Sequence, residues 1–130
     1  MKRTWLALLL LLPLGPIACM DSHENMGPAT AFETAYQLAL EGKYDQTSDF
    51  FSDDIIKMTK TNQEVSLQKI WATRLNNGSV KGVKIIERDA NEKTCDIKFM
   101  MTTNEGMTDG EETMIYEKGV WRFDKMQRVR

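Results

Sequence analysis

The sequence predicts an α+β domain in which N-terminal helices pack on a curved, antiparallel, four-stranded sheet. Three observations predict it. Between residues 28 and 75, apolar side chains recur every third or fourth place, the spacing of one helical face. Beyond Gly78 the period falls to two, as on pleated strands whose side chains alternate between faces. Short turn-forming stretches separate the alternating runs, so consecutive runs are expected to pair as antiparallel neighbours.

The first helix carries Phe32, Ala35, Tyr36, Ala39 and Leu40 on one face. Pro28 suits its first turn, and Gly42 suits the left-handed residue after its end. Tyr44, Thr47, Ser48 and Phe51 share a side, which predicts a short second helix over 44–51. Thr61-Asn62-Gln63-Glu64 matches a capping box, where threonine and glutamate each satisfy a free amide at a helix start. The helix it opens would bury Leu67, Ile70, Trp71 and Leu75, with Arg74 beside the stripe, and stop at Asn76-Asn77-Gly78.

Four strands follow. Val83 and Ile85 lead the first; Cys95, Ile97, Phe99 and Met101 alternate with Asp96, Lys98, Met100 and Thr102 in the second. Thr113, Ile115 and Glu117 alternate with Met114, Tyr116 and Lys118 in the third, and Trp121 and Phe123 flank Arg122 in the fourth. Turns are expected at Ala90-Asn91-Glu92-Lys93 and at Lys118-Gly119; in the middle hairpin, Asn104-Glu105-Gly106 and Asp109-Gly110 compete. Phe32, Tyr36, Trp71, Phe99 and Trp121 are the core candidates. No repeat or second domain is visible.

The first 18 residues have a different character. Lys2 and Arg3 precede an apolar run from Trp5 to Leu12, the layout of a secretory signal peptide. The run is far short of the roughly 20 residues that a spanning helix needs, and Pro13, Gly15 and Pro16 interrupt any continuation. Pro16-Ile17-Ala18-Cys19 resembles a bacterial lipobox, with Pro16 standing where that pattern usually has leucine. The resemblance implies cleavage before Cys19 and its lipidation, and two acyl attachments suffice for stable anchoring. The alternative is an ordinary cleaved signal, with Cys19 free to pair with Cys95 in an oxidising compartment. Residues 19–29 then form the lipidated N-terminus and a polar linker, and residues 30–130 the domain. Asp21 lies two places after Cys19 instead of directly behind it, which favours the outer membrane over retention at the inner one. Without the anchor, the chain is expected to be periplasmic or secreted.

Composition narrows the function. The 130-residue chain has 17 basic and 19 acidic residues; loss of Lys2 and Arg3 with the leader leaves 15 against 19, or −4. That balance opposes nucleic-acid binding, which needs a basic face. His23, in the linker, is the one histidine, so the domain has none. Zinc sites built on histidine, and serine–histidine or cysteine–histidine catalysis, are therefore excluded. No metal or cofactor is expected. Met100, Met101, Met107 and Met114 cluster in the sheet without the tight repeats of a copper(I) site, and read as core filling. Glu105, Asp109, Glu111 and Glu112 read as a solvated acidic patch at a hairpin tip.

Residues 30–126 resemble the cone-shaped domains of the nuclear-transport-factor-2-like (NTF2-like) superfamily, in particular an exported branch common in bacterial lipoproteins. The features that carry it are Glu41-Gly42-Lys43-Tyr44-Asp45, Phe50-Phe51-Ser52-Asp53-Asp54 at the end of helix two, and the closing run Glu117-Lys118-Gly119-Val120-Trp121-Arg122-Phe123. A cystatin-like layout is the alternative. The resemblance implies a cone with a cavity, for which Phe32, Tyr36, Trp71, Phe99, Met101, Met114 and Trp121 are the candidate lining. The expectation is a non-enzymatic cell-envelope lipoprotein, membrane-bound through its lipid, that binds a protein partner or a small apolar ligand. Two copies are expected to associate through the open face of the sheet. One alternative is a proton-transfer enzyme like the superfamily's isomerases, which use a carboxylate with tyrosine or acid partners. Another is a periplasmic inhibitor or immunity protein. A buried acid–tyrosine pair would favour chemistry; an apolar pocket without one would favour binding.

Overall fold

The computed structural model describes residues 26–127; the leader, Cys19 and His23 lie outside them. Helix α1 (Pro28–Leu40) is followed by a 3₁₀ helix (Tyr44–Phe50), α2 (Asp53–Thr61) and α3 (Leu67–Arg74), then strands β1 (Val80–Ala90), β2 (Thr94–Thr103), β3 (Gly106–Glu117) and β4 (Val120–Phe123). The strands form one sheet in the order β1-β2-β3-β4, and each neighbouring pair is antiparallel. Among the described residues no helix is long and apolar enough to cross a membrane.

Helix α1 starts at Pro28, so Pro28 and Ala29, counted with the linker above, belong to the domain. Its apolar stripe buries Ala31, Phe32, Ala35, Tyr36 and Ala39. The helix closes on Gly42, at φ 80°, with Gly42 N–H donating to Ala39 and Lys43 N–H to Leu38. These two bonds satisfy end carbonyls, and a side chain at Gly42 would be strained.

The capping box at Thr61 does not form. Thr61 is the last residue of α2, and its hydroxyl donates back to the Lys57 carbonyl (3.0 Å). A residue still in helical conformation cannot act as an N-cap. Ser66 caps α3 instead, accepting from Lys69 N–H at 3.2 Å. Helix α2 itself has no counterpart in the sequence reading, which placed helix two over 44–51 and, by resemblance, its end within Phe50-Phe51-Ser52-Asp53-Asp54. Ser52 caps α2 through Ile55 N–H, and Asp53 and Asp54 lie in its first turn, where carboxylates favour the helix dipole.

The middle hairpin turns at Asn104-Glu105: Thr103 pairs with Gly106, whose φ of 130° needs glycine. The β3–β4 turn has Lys118 (φ 53°) and Gly119 (φ 82°), both left-handed, matching the twist of its strands. Ile86 bulges from β1 between the pairs Ile85–Phe99 and Glu87–Lys98.

The inner face of the sheet carries Cys95, Ile97, Phe99 and Met101 from β2 with Gly110, Glu112 and Met114 from β3, all buried. It meets the aromatic face of the helices. Gly110 is opposite Phe99, whose ring fills the space that a side chain on β3 would take. The outer face is charged: Lys84, Glu87, Asp96, Lys98, Asp109 and Glu111 share it.

Candidate functional site

The centre of the domain is polar. Arg74, in the last turn of α3, is completely buried, and so, at 2% exposure, is Glu112 of β3. Arg74 Nη1 and Nη2 donate to Glu112 Oε1 and Oε2, a two-pronged pairing that suits a planar guanidinium. Nη1 also lies 3.5 Å from the Tyr36 hydroxyl. The other donors leave the ion pair: Nε donates to the Met126 carbonyl at 3.0 Å, and Nη2 to that of Lys125. Residues just beyond β4 therefore close over the guanidinium.

Aromatic rings wall this chamber. The guanidinium carbon is 4.5 Å from the centroid of Phe123, 5.4 Å from Phe51 and 5.7 Å from Trp71. The indole N–H of Trp71 donates to the Thr47 hydroxyl (2.8 Å), which in turn donates to the Tyr44 carbonyl. This chain of bonds lets a fully buried tryptophan keep a satisfied donor. Burial by itself would lower the Arg74 pKa, but the Glu112 carboxylate and the Tyr36 oxygen outweigh it, and the pKa is raised.

The seven residues expected to line a cavity are all buried, at 8% exposure or less. Several of them meet each other directly. Phe32 packs on Tyr36 at 4.5 Å and on Phe99 at 4.9 Å, and Tyr36 meets the edge of Trp71 at 4.9 Å. Met101 and Met114 lie on the inner sheet face, Met114 opposite Phe123. Trp121 belongs to the same core, and its ring lies 5.2 Å from that of half-exposed Tyr116, the two planes tilted. Phe32 and Tyr36 also border a surface cleft of about 240 Å³ between α1 and β1, with Glu33, Gln37, Lys81 and Val83.

The acidic patch divides. Glu105, Asp109 and Glu111 are exposed, but Glu112 is not at a hairpin tip: it pairs with Ile97, well inside β3, and faces the core. Arg74 is likewise on the buried stripe and not beside it. Sequence reasoning missed both, along with the part played by Lys125 and Met126. Cys95 is a free thiol on the inner face, and burial, with Asp96 beside it, raises its pKa.

No family model and no curated protein sequence matches the chain. Solved structures do. A putative NTF2-like transpeptidase from Campylobacter jejuni is similar with a TM-score of 0.56 and 13% identity, over 77% of this chain and 99% of that one. The fold is NTF2-like. A SEC-C motif containing protein from Rhodopseudomonas palustris is similar with a TM-score of 0.58 and 9% identity, over 85% of this chain and 84% of that one. At these identities the likeness carries the NTF2-like fold and no activity. It bears out the expectation of an NTF2-like α+β fold.

An acid–tyrosine pair was set out above as favouring chemistry; in this fold a buried acid and a buried tyrosine both reach one arginine, Arg74. Both oxygens of Glu112 are taken up by Arg74, and the Tyr36 hydroxyl faces the same guanidinium. A general base must instead present a free oxygen to the proton that it removes. What the site holds is a guanidinium fork within aromatic walls, with Nε, Nη1 and Nη2 all donating to acceptors of the protein itself.

Proposed function

We propose that this is an exported, lipid-anchored envelope protein whose NTF2-like domain binds and does not catalyse. The observation that carries the second half is the two-pronged pairing of Glu112 with Arg74 at the centre of the cone. The acid that a proton-transfer enzyme would need is committed to a cation. The transpeptidase in the name of the Campylobacter protein does not carry over readily either. Acyl transfer needs an activated nucleophile, and Cys95 is fully buried with a raised thiol pKa.

The anchor rests on the leader and on Ile17-Ala18-Cys19. It places the domain at the periplasmic face of a membrane, with the outer membrane favoured by the position of Asp21. Mass spectrometry of membrane-extracted protein, beside Cys19→Ser, tests it: the wild type carries acyl mass on its N-terminal cysteine and the variant carries none. A wild-type mass without acyl chains removes the anchor. Proton transfer is tested by following exchange of α-protons of a panel of ketones in deuterated water. Exchange above the buffer rate that disappears in Glu112→Gln would replace the binding function with an enzymatic one. Self-association through the sheet would have to be polar, given Lys98, Asp109 and Glu111 on that face, and so weaken with salt.

A further inference from the structure

The chamber around Arg74 is closed by chain that has no regular structure of its own. After β4 ends at Phe123, residues 124–127 belong to no helix or strand, yet the carbonyls of Lys125 and Met126 accept from Arg74. Their side chains add little: Asp124, Lys125 and Gln127 are exposed, and Met126 is the one packed, in part, against the core. The tail brings main chain to the guanidinium.

Charge indicates what could take the tail's place. Arg74 already has a counter-ion in Glu112, and among the described residues Nε and Nη2 donate outward to neutral carbonyls. A phosphate or carboxylate there would set a second negative charge near Glu112 in a site of low dielectric, which is unfavourable. A peptide carbonyl adds no charge. The neighbouring edge also handles main chain: Ser52 N–H donates to the Phe123 carbonyl at 2.9 Å, and Phe51 and Phe123 form a parallel bridge. A buried ion pair adds little stability over apolar residues of the same volume. Its position beneath residues 124–127, which belong to no helix or strand, is explained better by recognition.

We propose that the Arg74 chamber is a binding site for extended peptide main chain, held shut in this structure by the protein's own residues 124–127. The proposal rests on the binding function above and names its ligand class. Tail and ligand compete, so the affinity of the intact protein is reduced by the fraction of molecules that are open.

The test compares the full-length protein with a chain ending at Phe123 and with full-length Met126→Asp, which keeps every carbonyl but loses the apolar contact. The probe is a synthetic peptide of residues 124–130 with both ends blocked. Binding is read from tryptophan fluorescence, since Trp71 lies against Arg74, and opening is read from solvent exchange of the Arg74 Nε proton by NMR. The shortened chain is expected to bind the peptide saturably, and the full-length protein at least about tenfold more weakly. Met126→Asp is expected to exchange the Nε proton at least about tenfold faster than wild type and to bind the peptide with intermediate affinity. Arg74→Lys in the shortened chain abolishes binding, because an ammonium lacks the planar fork. If the shortened chain does not fold, Met126→Asp decides. A folded, open form that ignores the peptide overturns the proposal, and one that binds only acetate or inorganic phosphate overturns the ligand class. Nε exchange as slow in Met126→Asp as in wild type makes the tail a structural cap and also overturns it. The wider binding function fails separately, if full-length protein in its own membranes cross-links to no partner and retains no ligand on extraction.

Discussion

Replacing Glu112 with leucine tests the centre of the domain most directly. The side chains of Arg74 and Glu112 are 0% and 1% exposed, so the substitution leaves a guanidinium buried without its counter-ion. Breaking one half of such a pair costs about 3–5 kcal/mol. In a domain of about 100 residues, each kcal/mol is worth about 4–8 °C of melting temperature. Glu112→Leu should therefore lower Tm by at least about 12 °C. The double variant Arg74→Met/Glu112→Leu removes both charges and keeps most of the volume. It should lie within about 2 kcal/mol of wild type, because apolar replacements of whole buried pairs range from neutral to stabilising. Urea unfolding followed by tryptophan fluorescence measures these two and the single variant Arg74→Met, and a coupling of at least about 2 kcal/mol is expected between the two sites. Glu111→Leu is the control: Glu111 is the adjacent residue on the exposed face and should change stability by no more than about 0.5 kcal/mol. If Glu112→Leu costs less than about 1 kcal/mol, or if Glu111 and Glu112 exchange their behaviour, the ion pair and the register of β3 are both refuted.

A Cβ on Gly110 would stand 2.6 Å from Phe99 Cζ, and that ring is held between Phe32 and Tyr36. Gly110→Ala should cost about 1–3 kcal/mol through overpacking, read as a lower urea midpoint with an unchanged slope. Ser66→Ala should cost about 1 kcal/mol, as lost N-caps do, while Thr61→Ala stays nearly neutral; equal losses would restore the capping box at Thr61. Burial raises the Cys95 thiol above its ordinary value of 9.0. Its contribution to stability is thus complete below the unfolded pKa and is lost as pH rises through the folded one. The stability difference between wild type and Cys95→Ala should shift against the wild type as the pH passes above about 9, and a difference independent of pH would show that the thiol is not buried as described.

Most of the fold could be read from the sequence because burial leaves a periodic trace. The stripe through Phe32, Tyr36 and Ala39 and the alternation through Cys95, Ile97 and Phe99 each match the buried set. Helix α2 escaped because it is amphipathic over only nine residues, with Ile55 as its one fully buried side chain. Its cap, Ser52, was read as the end of the element before it. The Thr61 motif then misled, since a capping box is a local pattern and α2 runs through its first residue. Chains of ring contacts cannot be read from a sequence at all. Apolar residues on converging faces can line a cavity or fill one, and here Phe32, Tyr36, Trp71 and Phe99 reach across and touch.

The centre of the site was hidden by one unassigned turn. Once the hairpin turns at Asn104-Glu105, parity alone puts Glu112 on the same face as Met114 and Gly110, and a carboxylate that stays ionised when buried needs a cation beside it. The candidates for that cation are few, because it must lie on an apolar stripe. Arg74 follows Ile70 by four places and Trp71 by three, which is the spacing of residues that share a helical face. The pair was therefore implicit in two periodicities that meet only when the register is known. The tail is different in kind. Lys125 and Met126 reach Arg74 through their carbonyls, which every residue possesses, so no choice of side chains records the contact. The same indifference of the carbonyl contacts to side chains is why another stretch of main chain could occupy the place, and why competition with a blocked peptide is the measurement that reveals it.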